Sequence, residues 1–352
     1  VVVGSGGSKG AAGTYAGGDG AVGRVVIAAT PNYSNVENFP VYVNLADMPS
    51  EFWTYVRSDC GDIRVLSSNG APEVPREIVT CNTGAQTGEI WFKAPLLSGV
   101  TDMPFYLYYG NSSATDYTAT ETFGRNNVWT NGYAAVWHLK DGTTLSGTDA
   151  TSNTNTGTAG AGATATTGKI DGGADFAGSS TSYIEAAHSA SMSISTPLTL
   201  SAWVYLDGYG GASNLYIRGI MSKYLSSGSN GYFLRVGSTG AAGGANYLDF
   251  GGATHIAESS DFPLSQWVYV TGTTDTSGSA KLFRNGNSVV SGTVSISTNS
   301  DAVRIGEDYS SGANDRNWDG KIDEARISNV ERTSGWIKTE YNNQSSPSTF
   351  YT

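Results

Sequence analysis

Apolar and polar residues alternate through most of the chain, the period-2 signature of strands with one buried face. Residues 39–45 (FPVYVNL) place Phe39, Val41, Val43 and Leu45 on one side and Pro40, Tyr42 and Asn44 on the other. Residues 62–66 (DIRVL), 89–93 (EIWFK) and 105–109 (FYLYY) extend the series after an opening strand at 24–29. Turn signals such as Ser68-Asn69-Gly70 and Gly110-Asn111 punctuate it. Further along, 132–139, 198–206 (LTLSAWVYL), 231–236, 266–270 and 325–327 read as strands. Residues 281–283 and 288–290 flank Asn285-Gly286, a pair suited to the positive φ that a tight hairpin needs at both central positions. No helix-period segment appears before residue 334. Residues 334–342 (SGWIKTEYN) are the one predicted helix, with Trp336, Ile337, Glu340 and Tyr341 on one face and Thr333 or Ser334 to cap it.

These elements predict an all-β protein of two antiparallel β domains with a short C-terminal helix. Residues 1–24 read as a Gly-rich arm or the end of a preceding module, 25–118 as the first β domain, 119–131 as a polar linker and 132–352 as the second. Residues 143–168, built of Thr, Ser, Gly, Ala and Asn, read as turns and surface strand within the second domain. The glycines of the arm do not make a phosphate-cradling loop. They lack a preceding strand, a following helix and a Lys-Ser/Thr pair.

Composition narrows the function classes. Only 14% of residues are charged and the net charge is −11, so the clustered Lys and Arg that nucleic-acid binding requires are missing. No run of 18 apolar residues exists to span a membrane as a helix. The three histidines (His138, His188, His255) are scattered, whereas most metal-hydrolase sites need them clustered. Hydroxyl and amide side chains fill the gaps between strands, which suits an extracellular, cell-surface or virion-surface protein. The chain starts at Val1, so either a leader has been removed or a longer chain is implied. Cys60 and Cys81 each lie beside a turn. In an oxidising compartment they could close a loop of about 20 residues; the alternative is two free, partly buried thiols.

Several runs carry a resemblance. Residues 59–66 (DCGDIRVL), 89–95 (EIWFKAP) and 106–111 (YLYYGN) resemble the DUF2341 domain of bacterial, archaeal and phage surface proteins. Residues 168–178 (GKIDGGADFAG), 198–204, 266–270, 281–286 (KLFRNG) and 320–327 (GKIDEARI) are similar to the laminin-G-like, concanavalin-A-like jelly roll that often follows it. That resemblance implies two β-sandwich domains, the second a jelly roll, and a structural Ca²⁺, with Asp323 as a side-chain ligand and Asp175, which stands where many relatives carry an acidic residue, as a second candidate. Ala177 stands where relatives carry a further Asp. Asp315, Asn317, Asp319 and Gly320 also match the first half of an EF-hand loop, but Arg326 occupies the position of its bidentate Glu.

The glycosidases of this fold carry a Glu-x-Asp-x-(x)-Glu segment, and none occurs here. Asp323 and Glu324 are adjacent on a strand and so point to opposite faces. No G-x-S-x-G elbow is present either. Catalysis is therefore not expected. The expected function is adhesion through a surface glycan, stacked on an aromatic rim of Tyr309 and Trp318, with Tyr209, Tyr216 and Tyr224 nearby, and hydrogen-bonded by Asp308, Asn314 and Arg316. The rival is a structural subunit of a filament, sheath or virion that packs against neighbouring copies of itself. A glycoside hydrolase is the weaker alternative.

Overall fold

The computed structural model describes residues 2–3, 21–27, 34–67, 72–140, 144–209, 217–224, 231–237, 246–308 and 316–351. The chain divides into two compact units, one of residues 1–131 and 339–352, the other of residues 132–338.

The first unit holds two antiparallel sheets. Strands Val36–Asn44, Thr87–Leu97 and Arg76–Asn82 form one, in that order, and a five-stranded sheet centred on Met103–Tyr109 forms the other. Phe92 and Phe105, one from each sheet, bring their ring centroids within 4.8 Å, so the sheets meet through their apolar faces. The Gly-rich arm is strand at both ends. Val2–Val3 pairs with Ala21–Ile27, which in turn pairs with Met103–Tyr109.

A helix not predicted from the sequence, Ser50–Tyr55, buries Phe52 and Trp53, and Phe52 packs edge-on against Tyr109 at 4.8 Å. Six residues are too few for a 3.6-residue period to show. Residues 119–131 are not a free linker. Trp129 is buried, donates to Glu77 Oε2 at 2.6 Å and packs tilted against Trp91, with ring centroids 5.3 Å apart.

The residues that carry the DUF2341 resemblance meet in space. Asp62 accepts from the backbone N–H of Arg57 at 3.0 Å, of Gly110 at 2.6 Å and of Asn111 at 3.1 Å. It ties the Asp-Cys-Gly-Asp turn to the Tyr-Gly-Asn turn, and its oxygens are filled by three donors. Next to it, Cys60 and Cys81 are joined in a disulfide with an S–S distance of 2.05 Å.

The second unit is a sandwich of larger sheets. Its eight-stranded sheet runs Ala163–Thr167, Gly172–Ala177, Asp319–Ser328, Leu198–Leu206, Trp267–Thr274, Ser279–Arg284 and Asn287–Thr293, with Tyr133–Trp137 also paired to Asp319–Ser328. Its seven-stranded sheet runs Gly157–Ala159, Ile184–Ala186, Val303–Ile305, Arg218–Ser222, Phe233–Val236, Leu248–Gly251 and His255–Ala257. Leu200, Val204, Val270 and Ile322 from the first face Leu234, Val236, Phe250 and Ile305 from the second in one apolar core. The hairpin predicted at Asn285-Gly286 is present, with φ of 51° and 71° at the two residues.

The predicted C-terminal helix is Ser334–Ser345, and the division between the two units falls inside it. Its far half belongs with the first unit rather than the jelly roll. Tyr42 lies on the edge strand Val36–Asn44, and Asn343 satisfies both of its backbone groups. Tyr42 N–H donates to Asn343 Oδ1 at 2.7 Å, and Asn343 Nδ2 donates to Tyr42 O at 2.9 Å. The side-chain amide thus does what a further strand would do at that edge.

Candidate functional site

Alternation along the seven-stranded sheet sends Leu234, Val236, Leu248 and Phe250 into the core. Phe233, Arg235 and Asp249 are left on the opposite face. Arg235 and Asp249 are direct cross-strand partners, and Arg235 Nε donates to Asp249 Oδ2 at 2.9 Å. Arg235 Nη1 reaches Asp308 Oδ2 at 2.8 Å. Arg316 Nη1 lies 3.4 Å from the same oxygen, and Ser222 Oγ donates to Asp308 Oδ1 at 3.4 Å. At the other end, His255 Nδ1 is 2.8 Å from Asp249 Oδ1. The Phe233 ring lies under the Arg235 guanidinium at 3.7 Å, a cation–π contact.

The outcome is a five-membered relay, His255–Asp249–Arg235–Asp308–Arg316. Both carboxylates are fully buried, while His255 keeps 30% of its side chain exposed. Burial alone would lower the Arg235 pKa, but the charges of Asp308 and Asp249 outweigh it and raise it.

Backbone geometry brings Asp308 there. A side chain at Gly219 would come within 1.9 Å of the Asp308 nitrogen, so only glycine lets the Glu307-Asp308 segment lie on that strand. Gly219 N and Asp308 N both donate to Arg316 O, at 3.0 and 3.1 Å. Glu307, the preceding residue, pairs with Arg304, which also holds Glu185 at 2.8 Å and covers the Tyr183 ring at 4.1 Å. Burial pushes the Glu307 carboxyl up against the opposing charge of Arg304. Among the described residues, buried Glu307 Oε1 and Arg316 Nε find no hydrogen-bond partner.

Of the rim predicted from the sequence, Asp308 and Arg316 come together in this relay. Trp318 does not join them; it is fully buried in the core between the sheets, edge-on to Phe262 at 6.5 Å, with its Nε1 donating to Tyr205 O at 3.2 Å. Its indole is turned away from solvent and cannot stack on a sugar from there. Tyr209 is half-buried and donates to Phe262 O, and Tyr224 packs edge-on to Phe233 at 5.6 Å. Tyr216, Tyr309, Asn314 and Asp315 lie outside the described residues.

Family profiles match one segment of each unit, in the order the motifs implied. Residues 59–126 match the domain of unknown function DUF2341. Residues 177–338 match the concanavalin A-like lectin/glucanases superfamily. No curated protein matches the sequence. Among solved structures, domain 4 of AbnA, a GH43 extracellular arabinanase from Geobacillus stearothermophilus, in complex with arabinotriose, is similar at 19% identity and a TM-score of 0.43, over 58% of this chain and 96% of that one. The binding domain of Paraclostridial Mosquitocidal Protein 1 is similar at 13% identity and a TM-score of 0.48, over 60% of this chain and 52% of that one. The binding domain of botulinum neurotoxin serotype G is similar at 17% identity and a TM-score of 0.45, over 61% of this chain and 51% of that one.

The lectin-like jelly roll raises the question of Ca²⁺ at Asp323 and Asp175. The Asp323 side chain is completely buried, and its Oδ2 accepts from the N–H groups of Lys169 and Ile170 at 2.9 and 2.8 Å. Only Oδ1 is left without a partner. Asp175 sits opposite Lys321 in register and feels its charge. Ca²⁺ takes six to eight oxygens; of these two carboxylates, Asp323 offers one unpartnered oxygen, Oδ1, and Asp175 is half-buried beside Lys321. The geometry gives Asp323 the role of anchoring the turn at 168–171.

Burial, and then the adjacent Glu324 charge, push the Asp323 carboxyl well above the usual carboxylate range. The folded state therefore binds this proton more tightly than the unfolded one. Its contribution to stability is full at low pH and is lost as pH rises from the ordinary carboxylate range through the raised value. Glu324 acts in a separate window. Burial pushes it up, but His138 at 2.6 Å and Arg326 at 2.5 Å bring it down to about 2, so its contribution is lost only as pH falls toward that value.

Asp323→Asn keeps an acceptor for both N–H groups and removes the buried charge. It is expected to match or exceed the wild type in stability near neutral pH and to flatten the pH slope. Asp323→Ala strands two buried donors and should cost about 1–3 kcal/mol. Denaturation curves across pH, with and without a calcium chelator, check both. A chelator-dependent melting temperature that vanishes in Asp323→Asn would restore calcium to the site.

The residues that sequence reasoning missed are Arg235, Asp249 and His255. The available signal was a charge inside an otherwise apolar strand, Arg235 in FLRV and Asp249 in LDFG. A buried strand carries such a charge only when a partner waits across the ladder.

Proposed function

We propose that this is a non-catalytic recognition protein acting outside the cell or on a particle surface, and that its jelly roll binds glycan on the outer face of the seven-stranded sheet. The observation that carries the reading is the His255–Asp249–Arg235–Asp308–Arg316 relay, whose His255 end keeps 30% of its side chain exposed, where a polyhydroxylated ligand can hydrogen-bond to it. Each carboxylate of the relay is held by Arg235, which suits fixed recognition of hydroxyls rather than proton transfer. The lectin superfamily match over residues 177–338 supports the same reading, and the Cys60–Cys81 disulfide fits an oxidising compartment. Among the described residues no helix is long and apolar enough to cross a membrane.

The test is a glycan array spanning neutral and acidic structures, run with wild type and with His255→Ala. His255 is the partly exposed end of the relay, so its truncation should leave the core intact. Binding at least tenfold weaker in the variant, equivalent to about 1.4 kcal/mol, is the expected result. A blank array, or binding indifferent to His255, rejects the reading.

A further inference from the structure

In the first unit, strand Val36–Asn44 is nine residues long and lies at the edge of its three-stranded sheet. Among the described residues it pairs with one strand only, Thr87–Leu97. Along an antiparallel strand the backbone groups of successive residues turn toward the partner and away from it. Tyr42 turns away, since Asn343 takes both of its groups, so Pro40 and Asn44 turn away as well. An edge of this length is a template for another strand unless something blocks it.

Each outward position is blocked by a different device. Pro40 has no N–H to offer. Asn44 N–H donates to the Tyr351 hydroxyl at 2.9 Å, and that hydroxyl donates to Asp47 Oδ2 at 3.0 Å. Nearer the start of the strand, Asn131 Nδ2 donates to Glu37 O at 3.2 Å. The blocks at Tyr42 and Asn44 both come from residues 339–351, which join this unit from the far end of the sequence. Asn343, Phe350 and Tyr351 are buried there. Burial, and then the Asp47 charge, push the Tyr351 phenol up, so it stays a neutral hydroxyl that donates and accepts. Most of the segment is helical, in Ser334–Ser345 and Pro347–Phe350. It therefore meets the edge through one amide and one hydroxyl, where a strand would bring a backbone ladder.

We propose that residues 339–351 are a releasable clasp over a strand-pairing edge, and that the partner this edge takes when the clasp lifts is the same strand of a second copy of the chain. Two like edges meeting antiparallel about a twofold axis are self-complementary, so the outward donors of one copy meet the outward acceptors of the other. Glu37 is the one charged side chain on the strand, so two copies bring little repulsion to the junction although the chain carries a net charge of −11. Lifting the clasp is a local opening. It breaks the side-chain contacts of Asn343 and Tyr351 and leaves the ladder to Thr87–Leu97 in place. The clasp thus holds an assembly surface closed within a single copy.

Amide hydrogen exchange of the full chain, detected by NMR at Tyr42 and Asn44 over a dilution series, tests this beside analytical ultracentrifugation of the same samples. The proteins are wild type, Asn343→Ala and Tyr351→Phe, with Val100→Ser, an exposed change in the same unit, as the control. In dilute solution the Tyr42 N–H should exchange at least tenfold faster in Asn343→Ala, and the Asn44 N–H at least tenfold faster in Tyr351→Phe. The control should match wild type. At high concentration both clasp variants should sediment as dimers, and the two amides should regain protection. Tyr351→Phe keeps the ring and loses only the hydroxyl, so it carries the test if Asn343→Ala fails to fold. Unchanged exchange at both amides overturns the clasp. A folded variant that stays monomeric at every concentration, or one that dimerises with these amides still open to exchange, overturns the pairing edge and the proposal with it. None of these readouts involves the relay or a glycan, so the proposed recognition site stands or falls separately.

Discussion

Arg235→Met should destabilise the jelly roll by about 3–5 kcal/mol, the cost of leaving buried charge without its partner. The effect is large because one cation serves two acids. Asp249 and Asp308 are both fully buried, and Arg235 reaches them at 2.9 and 2.8 Å. Methionine keeps the apolar stem over Phe233 but supplies no charge. His255 on one side and Arg316 at 3.4 Å on the other remain as weaker partners, which keeps the loss finite. A domain is stable by only about 5–15 kcal/mol, so a substitution of this size reaches a large fraction of the total. Adding Asp249→Asn and Asp308→Asn to Arg235→Met removes the stranded charges and should recover part of the loss. Urea denaturation followed by tryptophan fluorescence and by glycan binding measures it. A loss under about 1 kcal/mol would mean that water reaches the two acids, which would place the relay at an open surface.

The strands were legible where one face is buried and the other polar, as at Leu198–Leu206, or where a turn has a strict backbone need, as at Asn285-Gly286. Legibility fails where the cause is non-local. Ser50–Tyr55 is helical because Phe52 and Trp53 find a place against the sheet, not because six residues display a period. Residues 119–131 look like linker by composition, and Trp129 is drawn in by Glu77 and Trp91. The far half of the closing helix pattern belongs with the first unit because Asn343 matches an edge position some 300 residues earlier in the chain.

The site divides along the same line. Asp308 and Arg316 could be suspected from polar loops near aromatics. Arg235, Asp249 and His255 acquire meaning only when three strands are laid side by side.

Trp318→Ala separates the local reading of the sequence from the fold most directly. An aromatic between Asn317 and Asp319, close to a polar loop, looks like a stacking platform for sugar. Trp318 N instead donates to Gly306 O at 2.8 Å, and the indole is fully buried in the core cluster, with its Nε1 on Tyr205 O. Truncating a buried Trp to Ala removes its transfer free energy and leaves a cavity, together about 3–5 kcal/mol. For a domain of this size the melting temperature should fall by on the order of 10 °C. Trp318→Phe retains most of the volume and loses one hydrogen bond, so it should fall less. Glycan affinity measured well below the melting temperature should stay near wild type for the folded fraction of either variant. The opposite pattern, unchanged stability with binding abolished, would show that the indole reaches solvent to hold the ligand, and it would move the recognition site from the relay to the loop that precedes Trp318.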